Sequence, residues 1–463
     1  MKKVIVVIYV LIVVVLVGGI GYFIYEKRID TEYLTIAEKR LEKIEWIKDA
    51  TIYEVNWRQY TKEGTIKAFE KHLSRLKEMG VKVLWLMPIH PISEINRLGS
   101  LGSYYSVKNY TEVNSELGTM NDFKAFVKKA HSMGFKVILD WVANHTGWDN
   151  VWMEHKSWYA QDENGNVISP PGTNWTDVAE LNYDNLELRK AMIDAMIFWI
   201  KNTDIDGFRC DYAGGVPLDF WEEAREKLQK IKPIFMLAED DQNIRLLDKA
   251  FDANYGWKLY NLFNNIAKGN DTAESIIDYY KRIYPSYPKG TFPLLFITNH
   301  DENSWNGTEI ERLGDAYKTF AVLTFTLPGI PLIYSGQEIP LEKRLKFFDK
   351  DEIDWSNIKL HTFYKQLINL KKDNPALWNG SYGGEAKFIT TNDSNVLAFV
   401  REKGDNIVIS IFNLQNKMTK VAINFDLYKG KFRTFGRRDE TIIINGKEVF
   451  KLEPWEYIIL VKK

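Results

Sequence analysis

An alternation constrains this chain more than any other feature. Eight short apolar runs of strand length are separated by stretches with helical periodicity. The runs are "TIYEVN" (51–56), "VKVLWLMP" (81–88), "FKVILDWV" (135–142), "DGFRCD" (206–211), "PIFMLAED" (233–240), "DANYGW" (252–257), "LLFITNHDE" (294–302) and "IPLIYSGQE" (330–338). Between the first two, Ile66, Phe69, Leu73 and Leu76 recur in helical phase; before the third, Phe123, Phe126, Val127 and Ala130 do the same. Strand–helix repetition of this kind calls for a parallel sheet. Eight repeats fit a closed (β/α)₈ TIM barrel over residues 50–383.

Two segments depart from the alternation. Residues 146–182 are rich in Gly, Pro, Asn and Trp and read as an irregular excursion between the third strand and its helix. Long insertions without regular structure are usually functional. From about Gly384 the helical pattern stops and short alternating strands take over ("NVLAFVRE", "NIVISIFNL", "KVAINF", "EYIILVKK"), which predicts a C-terminal antiparallel β-sandwich domain over 384–463.

The first residues differ again. Lys2 and Lys3 precede an unbroken apolar run from Val4 to Tyr25. A run of roughly 20 apolar residues spans a bilayer, whereas the core of a cleavable signal is shorter, about 7–15. Residues 1–26 are therefore expected to anchor the chain in the cell membrane through one helix, or to act as a signal peptide, with the body outside the cytoplasm. Residues 27–49 read as an amphipathic helical stalk with Leu34, Ala37, Leu41, Ile44 and Ile47 on one stripe, either packed on the body or projecting from it. A net charge of −1 gives no basic face for nucleic acid. A single cysteine, Cys210, rules out an intrachain disulfide. Oligomeric state is not encoded in any of these features.

The polar residues gather at one end of the runs. Asp140 ends the third, with Asn144 and His145 just beyond it. Arg209 and Asp211 end the fourth, Glu239 the fifth, and His300 and Asp301 the seventh. In a barrel these ends meet on the face that carries active sites. Side chains alternate along a strand, so Arg209 and Asp211 face the mouth together while Cys210 points into the helix layer. Several carboxylates with an arginine and two histidines suit glycoside hydrolysis, which needs a nucleophile and a protonated acid across the scissile bond. Arg209 is expected to keep Asp211 ionised, and burial beside Asp211 to raise the Glu239 pKa. A metal–carboxylate site is the competing chemistry, with His145 and His300 as ligands, although no HxxH or HxxxH spacing supports it.

The stretches "DWVANH" (140–145), "GFRCD" (207–211), "AED" (238–240) and "TNHD" (298–301) resemble, in order, the four sequence regions of the α-amylase family, glycoside hydrolase family thirteen. The resemblance implies Asp211 as nucleophile, Glu239 as general acid/base and Asp301 as a third carboxylate gripping sugar hydroxyls. It further implies that His145 and His300 bind the same glucose, that Tyr105 stacks under it, and that Asp140 and Arg209 support the site. The 146–182 excursion matches the family's domain B. A calcium site would take Asn144, Glu180 and the carbonyl of Gly215. One departure stands out: many family members carry Lys-His shortly after the nucleophile, and this chain has Gly214-Gly215. The implied activity is hydrolysis of α-1,4-glucosidic bonds in starch, glycogen or maltodextrin. 4-α-Glucanotransferases, cyclomaltodextrinases and α-1,6-acting relatives share the same motifs and stay open as alternatives. The non-enzymatic alternative is an amylase-like transporter heavy chain. Those lack the full catalytic set, whereas this chain keeps all three carboxylates and both histidines.

Overall fold

Successive side chains of a strand point to opposite faces, and this rule divides the apolar residues of the first 380 positions into two cores. A computed structural model describes residues 35–436 and 440–462. The strands, in chain order, are β1 (Ile52–Val55), β2 (Val83–Leu86), β3 (Lys136–Val142), β4 (His145–Gly147), β5 (Val178–Glu180), β6 (Gly207–Asp211), β7 (Phe235–Ala238), β8 (Ala253–Tyr255), β9 (Phe292–Leu295) and β10 (Ile330–Tyr334). Eight of them close a parallel barrel in the order β1-β2-β3-β6-β7-β8-β9-β10, with β10 paired back to β1. The expected (β/α)₈ architecture is the observed one.

Ile52, Val83, Trp85, Ile138, Phe235, Leu237, Phe292, Leu294, Ile330 and Leu332 fill the barrel interior. Their strand neighbours, including Tyr53, Leu84, Leu139, Phe208, Cys210 and Met236, pack outward against the helices. Cys210 is fully buried in that outer layer, where it acts as a small hydrophobe. The same parity aims Glu54, Asp140, Arg209 and Asp211 inward, where the apolar filling gives way to the barrel mouth.

The opposite mouth is plugged. A short helix, Ile36–Glu42, is opened by a capping box in which Thr35 accepts from the Glu38 N–H. Leu41, Ile44 and Ile47 then join the interior core. The described part of the expected stalk is thus packed on the barrel rather than projecting from it, because its apolar stripe has the barrel floor to cover. The membrane segment expected over residues 1–26 lies outside the described residues. Among the described residues no helix is long and apolar enough to cross a membrane.

The 146–182 excursion is tied at its base by an antiparallel pair, β4 with β5, in which His145 stands opposite Glu180. Between them the chain makes 3₁₀ turns, Val151–Glu154 and Lys156–Trp158, and no longer element. The C-terminal domain is antiparallel throughout, a six-stranded sheet and a two-stranded one. Val396, Ala398, Ile409 and Ile411 of the larger sheet share one core with Val421, Ile423 and Leu452 of the smaller, the packing of a small sandwich.

One strand was expected to run too far. "LLFITNHDE" suggested a strand delivering His300 and Asp301 at its tip, but β9 ends at Leu295. His300 and Asp301 sit beyond it, just before a π-turn over Glu302–Asn306. The apolar run continues because Phe296 and Ile297 are buried, not because they pair.

Candidate active site

The site is built around one guanidinium. Arg209, on β6, has no solvent exposure. Its Nη1 donates to Asp140 Oδ1 at 2.8 Å and to Asp211 Oδ1 at 2.9 Å, and its Nε donates to the Tyr255 hydroxyl at 3.1 Å. Its Nη2 lies 2.8 Å from Glu239 Oε2, a charge contact outside hydrogen-bond geometry. Register explains the grouping. Arg209 pairs with Asp140 across β3–β6 and with Leu237 across β6–β7, so Glu239 falls one residue past the end of β7 on the same inward parity.

One arginine therefore faces three carboxylates, and burial penalises their charges. Burial pushes Glu239 up to about 7; Arg209 opposes the shift, while Asp211 and Asp301 reinforce it. Asp211 is pushed up to about 6 by burial, against the pull of Arg209. Asp140 moves in the same direction for the same reason. Arg209 does pull the Asp211 pKa down, as expected, but its charge is divided among three partners, so burial still leaves that carboxyl above its usual value. Each of the two carboxyls raises the other's pKa, which favours one ionised carboxylate beside one protonated carboxyl.

A second polar chain fixes the far wall. The Trp85 Nε1 and the Tyr105 hydroxyl both donate to Asp140 Oδ2, at 3.0 and 3.1 Å. The Tyr105 hydroxyl lies 2.7 Å from His300 Nε2, and the two rings stack with centroids 5.5 Å apart. His300 Nδ1 meets Glu54 Oε1 at 2.5 Å, and Nε2 lies 3.2 Å from Asp301 Oδ2. Burial alone would lower the His300 pKa, but the charges of Asp301 and Glu54 on either side hold it well above the usual value. Asp301 stays ionised because the His300 charge outweighs its own burial. His145 has no such partner, and burial lowers it to about 4, so it enters neutral chemistry as a neutral imidazole.

These groups line a cleft of about 560 Å³ whose walls include Tyr105, His145, Trp175, Tyr212, Trp305 and Phe347. Asp211, Glu239 and Asp301 all open into it. All eight residues expected to catalyse or bind substrate thus meet at one mouth, with Asp140 and Arg209 beneath the floor. Sequence reasoning missed Glu54, Trp85, Tyr255, Trp175 and Tyr212. Glu54 carried a readable signal: it is the one charge in an apolar run, at the parity of Ile52. Trp175 lies in the irregular excursion, where no periodicity could place it.

The three residues proposed for a metal are close in the chain fold. The Asn144 carbonyl accepts from the Leu181 N–H at 3.1 Å, next to Glu180. Asn144 Oδ1 lies against Gly215, where an added Cβ would come within 2.7 Å of it. The Glu180 carboxyl is half-buried, and burial raises its pKa. Among the described residues, neither Asn144 Oδ1 nor the Glu180 carboxylate has a hydrogen-bond donor. An oxygen-only donor set of this kind suits calcium. Among the described residues no group of three or more His, Cys, Asp or Glu is arranged to hold a metal, so the His-ligated alternative gains no geometric support.

Fold and site together define a barrel glycosidase. The family model for the α-amylase catalytic domain matches residues 32–167 and 172–422. The chain belongs to the α-amylase family. It is 30% identical to a maltogenic α-amylase from Thermotoga neapolitana, with a TM-score of 0.81 over 90% of this chain and 99% of that one. An α-amylase from Lactobacillus plantarum is 29% identical, with a TM-score of 0.80 and the same coverage. The α-amylase MalA of Haloarcula japonica is 27% identical over 436 residues; the match takes in 88% of this chain and 62% of that protein.

Proposed function

We propose that this protein hydrolyses α-1,4-glucosidic bonds of starch, glycogen or maltodextrins with retention of configuration. The observation that carries the reading is the single buried guanidinium shared by Asp140, Asp211 and Glu239. In the first step an Asp211 oxygen attacks the anomeric carbon. The glycosidic C–O bond breaks, and the Glu239 proton passes to the leaving oxygen. In the second step Glu239 takes a proton from water, the water oxygen attacks the same carbon, and the Asp211 carboxylate is released. Asp301, His300, His145 and Tyr105 hold the glucose being attacked. Grip by the ionised Asp301 carboxylate strengthens as positive charge grows on the ring, which lowers the barrier where it counts, while the charged His300 imidazole holds that carboxylate in place.

Transfer to another sugar in place of water, opening of cyclodextrins, and α-1,6 cleavage all use the same intermediate and remain the alternatives. The test is to separate the products from maltoheptaose and from pullulan. Shorter maltodextrins from the first, with the α-anomer formed initially, support the reading. Products longer than the substrate would favour transfer, and faster attack on pullulan would favour α-1,6 action.

Two finer parts belong to the same proposal. Asn144, Glu180 and the Gly215 carbonyl would hold a calcium ion tying the excursion to the barrel beside His145; bound only to the native state, it stabilises by mass action. Chelation should lower the melting temperature of the wild type and leave Glu180→Ala unmoved; an unmoved wild type, with no metal copurifying, ends the idea. The Val4–Tyr25 run would keep the body at the outer face of the cell membrane. A native product starting near residue 22 would mean cleavage instead.

A further inference from the structure

A second pocket lies outside the catalytic cleft, in the seam between the barrel and the C-terminal domain. Its volume is about 420 Å³, within the ordinary range for a small-ligand site. None of its lining residues lines the cleft. Asn270 and its neighbours, from the turn after the helix Trp257–Ala267, form one side; Asn395, Gln415, Asn416 and Trp455 form the other. Trp455 is held at φ +57°, a left-handed backbone that is an outlier for a bulky residue and persists only where its surroundings fix it. Its N–H donates to the Gln415 carbonyl at 3.2 Å, and its own carbonyl accepts from the Thr319 hydroxyl on the barrel. The indole faces Phe320, with centroids 6.4 Å apart, yet stays half-buried, and its Nε1–H has no acceptor among the described residues.

Gln415 is anomalous as well. It is 9% exposed, and its Nε2 donates to Asp393 Oδ2 at 2.9 Å. A carboxylate only accepts, so this contact fixes which end of the amide is which. It leaves the carbonyl Oε1, on a wall of the pocket, without a donor among the described residues. Amides so deeply placed are nearly always satisfied. Asp393 also accepts from the Thr419 hydroxyl at 2.7 Å and from the Asn395 N–H at 3.0 Å, which makes this wall rigid. Asn270 and Asn416 stand exposed at the rim, and neither side chain is hydrogen-bonded within the described residues. One lysine, Lys268, and one aspartate, Asp271, leave the pocket without net charge. An indole beside unpaired amide donors and acceptors, with no net charge, fits a neutral sugar, its C–H face on the ring and its hydroxyls on the amides. We infer that this seam is a second α-glucan binding site, holding one stretch of the polymer while the cleft cleaves another. The choice of glucan rests on the hydrolase reading.

The test measures adsorption of the full-length protein to granular starch and to cellulose, beside its rate on maltoheptaose. Trp455→Asn removes the ring and keeps a residue that tolerates left-handed backbone. Asn416→Ala trims an exposed side chain that bonds to nothing else in the chain, so it decides the matter if Trp455→Asn melts early. Trp455→Asn should weaken adsorption to starch by at least about tenfold, as when one of two linked sites is lost. Asn416→Ala should weaken it by about 2–10-fold, the range of one hydrogen bond. In both, kcat/KM on maltoheptaose should stay at the wild-type value. Three results would each overturn the inference while leaving hydrolysis intact: undiminished adsorption of either folded variant, equal losses on starch and on maltoheptaose, or a wild type that binds starch no better than cellulose. A wild type that adsorbs to starch but cleaves no maltoheptaose would overturn the hydrolase reading instead.

Discussion

Asp206 immediately precedes β6 and Asp211 ends it, and both are buried. Asp206 accepts from His131 at 2.7 Å, from Lys136 at 3.1 Å and from the Val137 N–H at 2.9 Å, with Lys232 at 3.3 Å. Burial would raise its pKa, but these donors and charges outweigh it and bring it down to about 2. Asp211 must share one arginine with two other carboxylates and goes the other way. The same contrast recurs beside the strand: Asp252, at the start of β8, accepts from Arg40 at 3.1 Å and from Arg225 at 2.8 Å. At the floor of the barrel cations outnumber carboxylates, and the charges lock elements together. At the mouth carboxylates outnumber cations, and protons become movable. Charge balance, not burial, separates the structural end from the reactive one.

The largest effect should come from Asp211→Asn. It should lower kcat/KM on maltoheptaose by roughly 10⁴-fold or more, the scale for losing a nucleophile, without lowering the melting temperature. An Asn variant near wild-type rate would break the comparison at its centre. Next comes Asp252→Asn, which leaves two buried arginines with a neutral partner. It should cost about 3–5 kcal/mol in denaturant unfolding, with little change in activity per folded molecule. Unfolding indistinguishable from wild type would mean that the floor cluster is not structural.

Glu239→Gln tests the sign. The folded Glu239 keeps its proton to about 7, whereas an unfolded glutamate releases it near its usual value. Its contribution to stability is therefore complete below the unfolded pKa and is lost as pH rises through about 7. The Gln variant should gain on the order of 2 kcal/mol over wild type at pH 8 and almost nothing at pH 4. Asp206 has a depressed pKa, so the stability it contributes is present above the unfolded pKa and is lost as pH falls toward about 2. Asp206→Asn should accordingly be destabilised at pH 7 and much less so near pH 2. Equal pH dependence in the two variants would contradict the charge-balance account. The smallest effect is kinetic: kcat/KM for maltoheptaose should fall to half its maximum near pH 7 on the alkaline side, where Glu239 loses its proton.

Much of this was legible in the sequence, for a physical reason. The period of a strand is two, so "GFRCD" alone separates Arg209 and Asp211 from Cys210, and the barrel rule brings Asp140 and Glu239 to the same mouth. What was not legible depends on loops and on long-range partners. His300 and Asp301 looked like a strand tip, but they are positioned by Glu54 and Tyr105 from distant segments. The left-handed turn at Tyr212 had no signal of its own, since non-glycine residues rarely adopt it. Gly214 and Gly215 were readable only as a departure; the packing of Tyr212 and Asp240 against them supplies the cause.

The central claim is that Asp211 forms a covalent bond to sugar while Glu239 manages the proton. α-Maltosyl fluoride needs little acid assistance to leave, and Glu239→Gln lacks the base that would release the intermediate, so the pair should accumulate it. The protein would be mixed with the fluoride, quenched in acid, digested with pepsin and mapped by mass spectrometry. The account predicts one maltosyl group, on the peptide containing Asp211 and on that residue. A maltosyl group on Asp140, Glu54 or Asp301, or steady turnover with no adduct and a β-anomeric product, would contradict it.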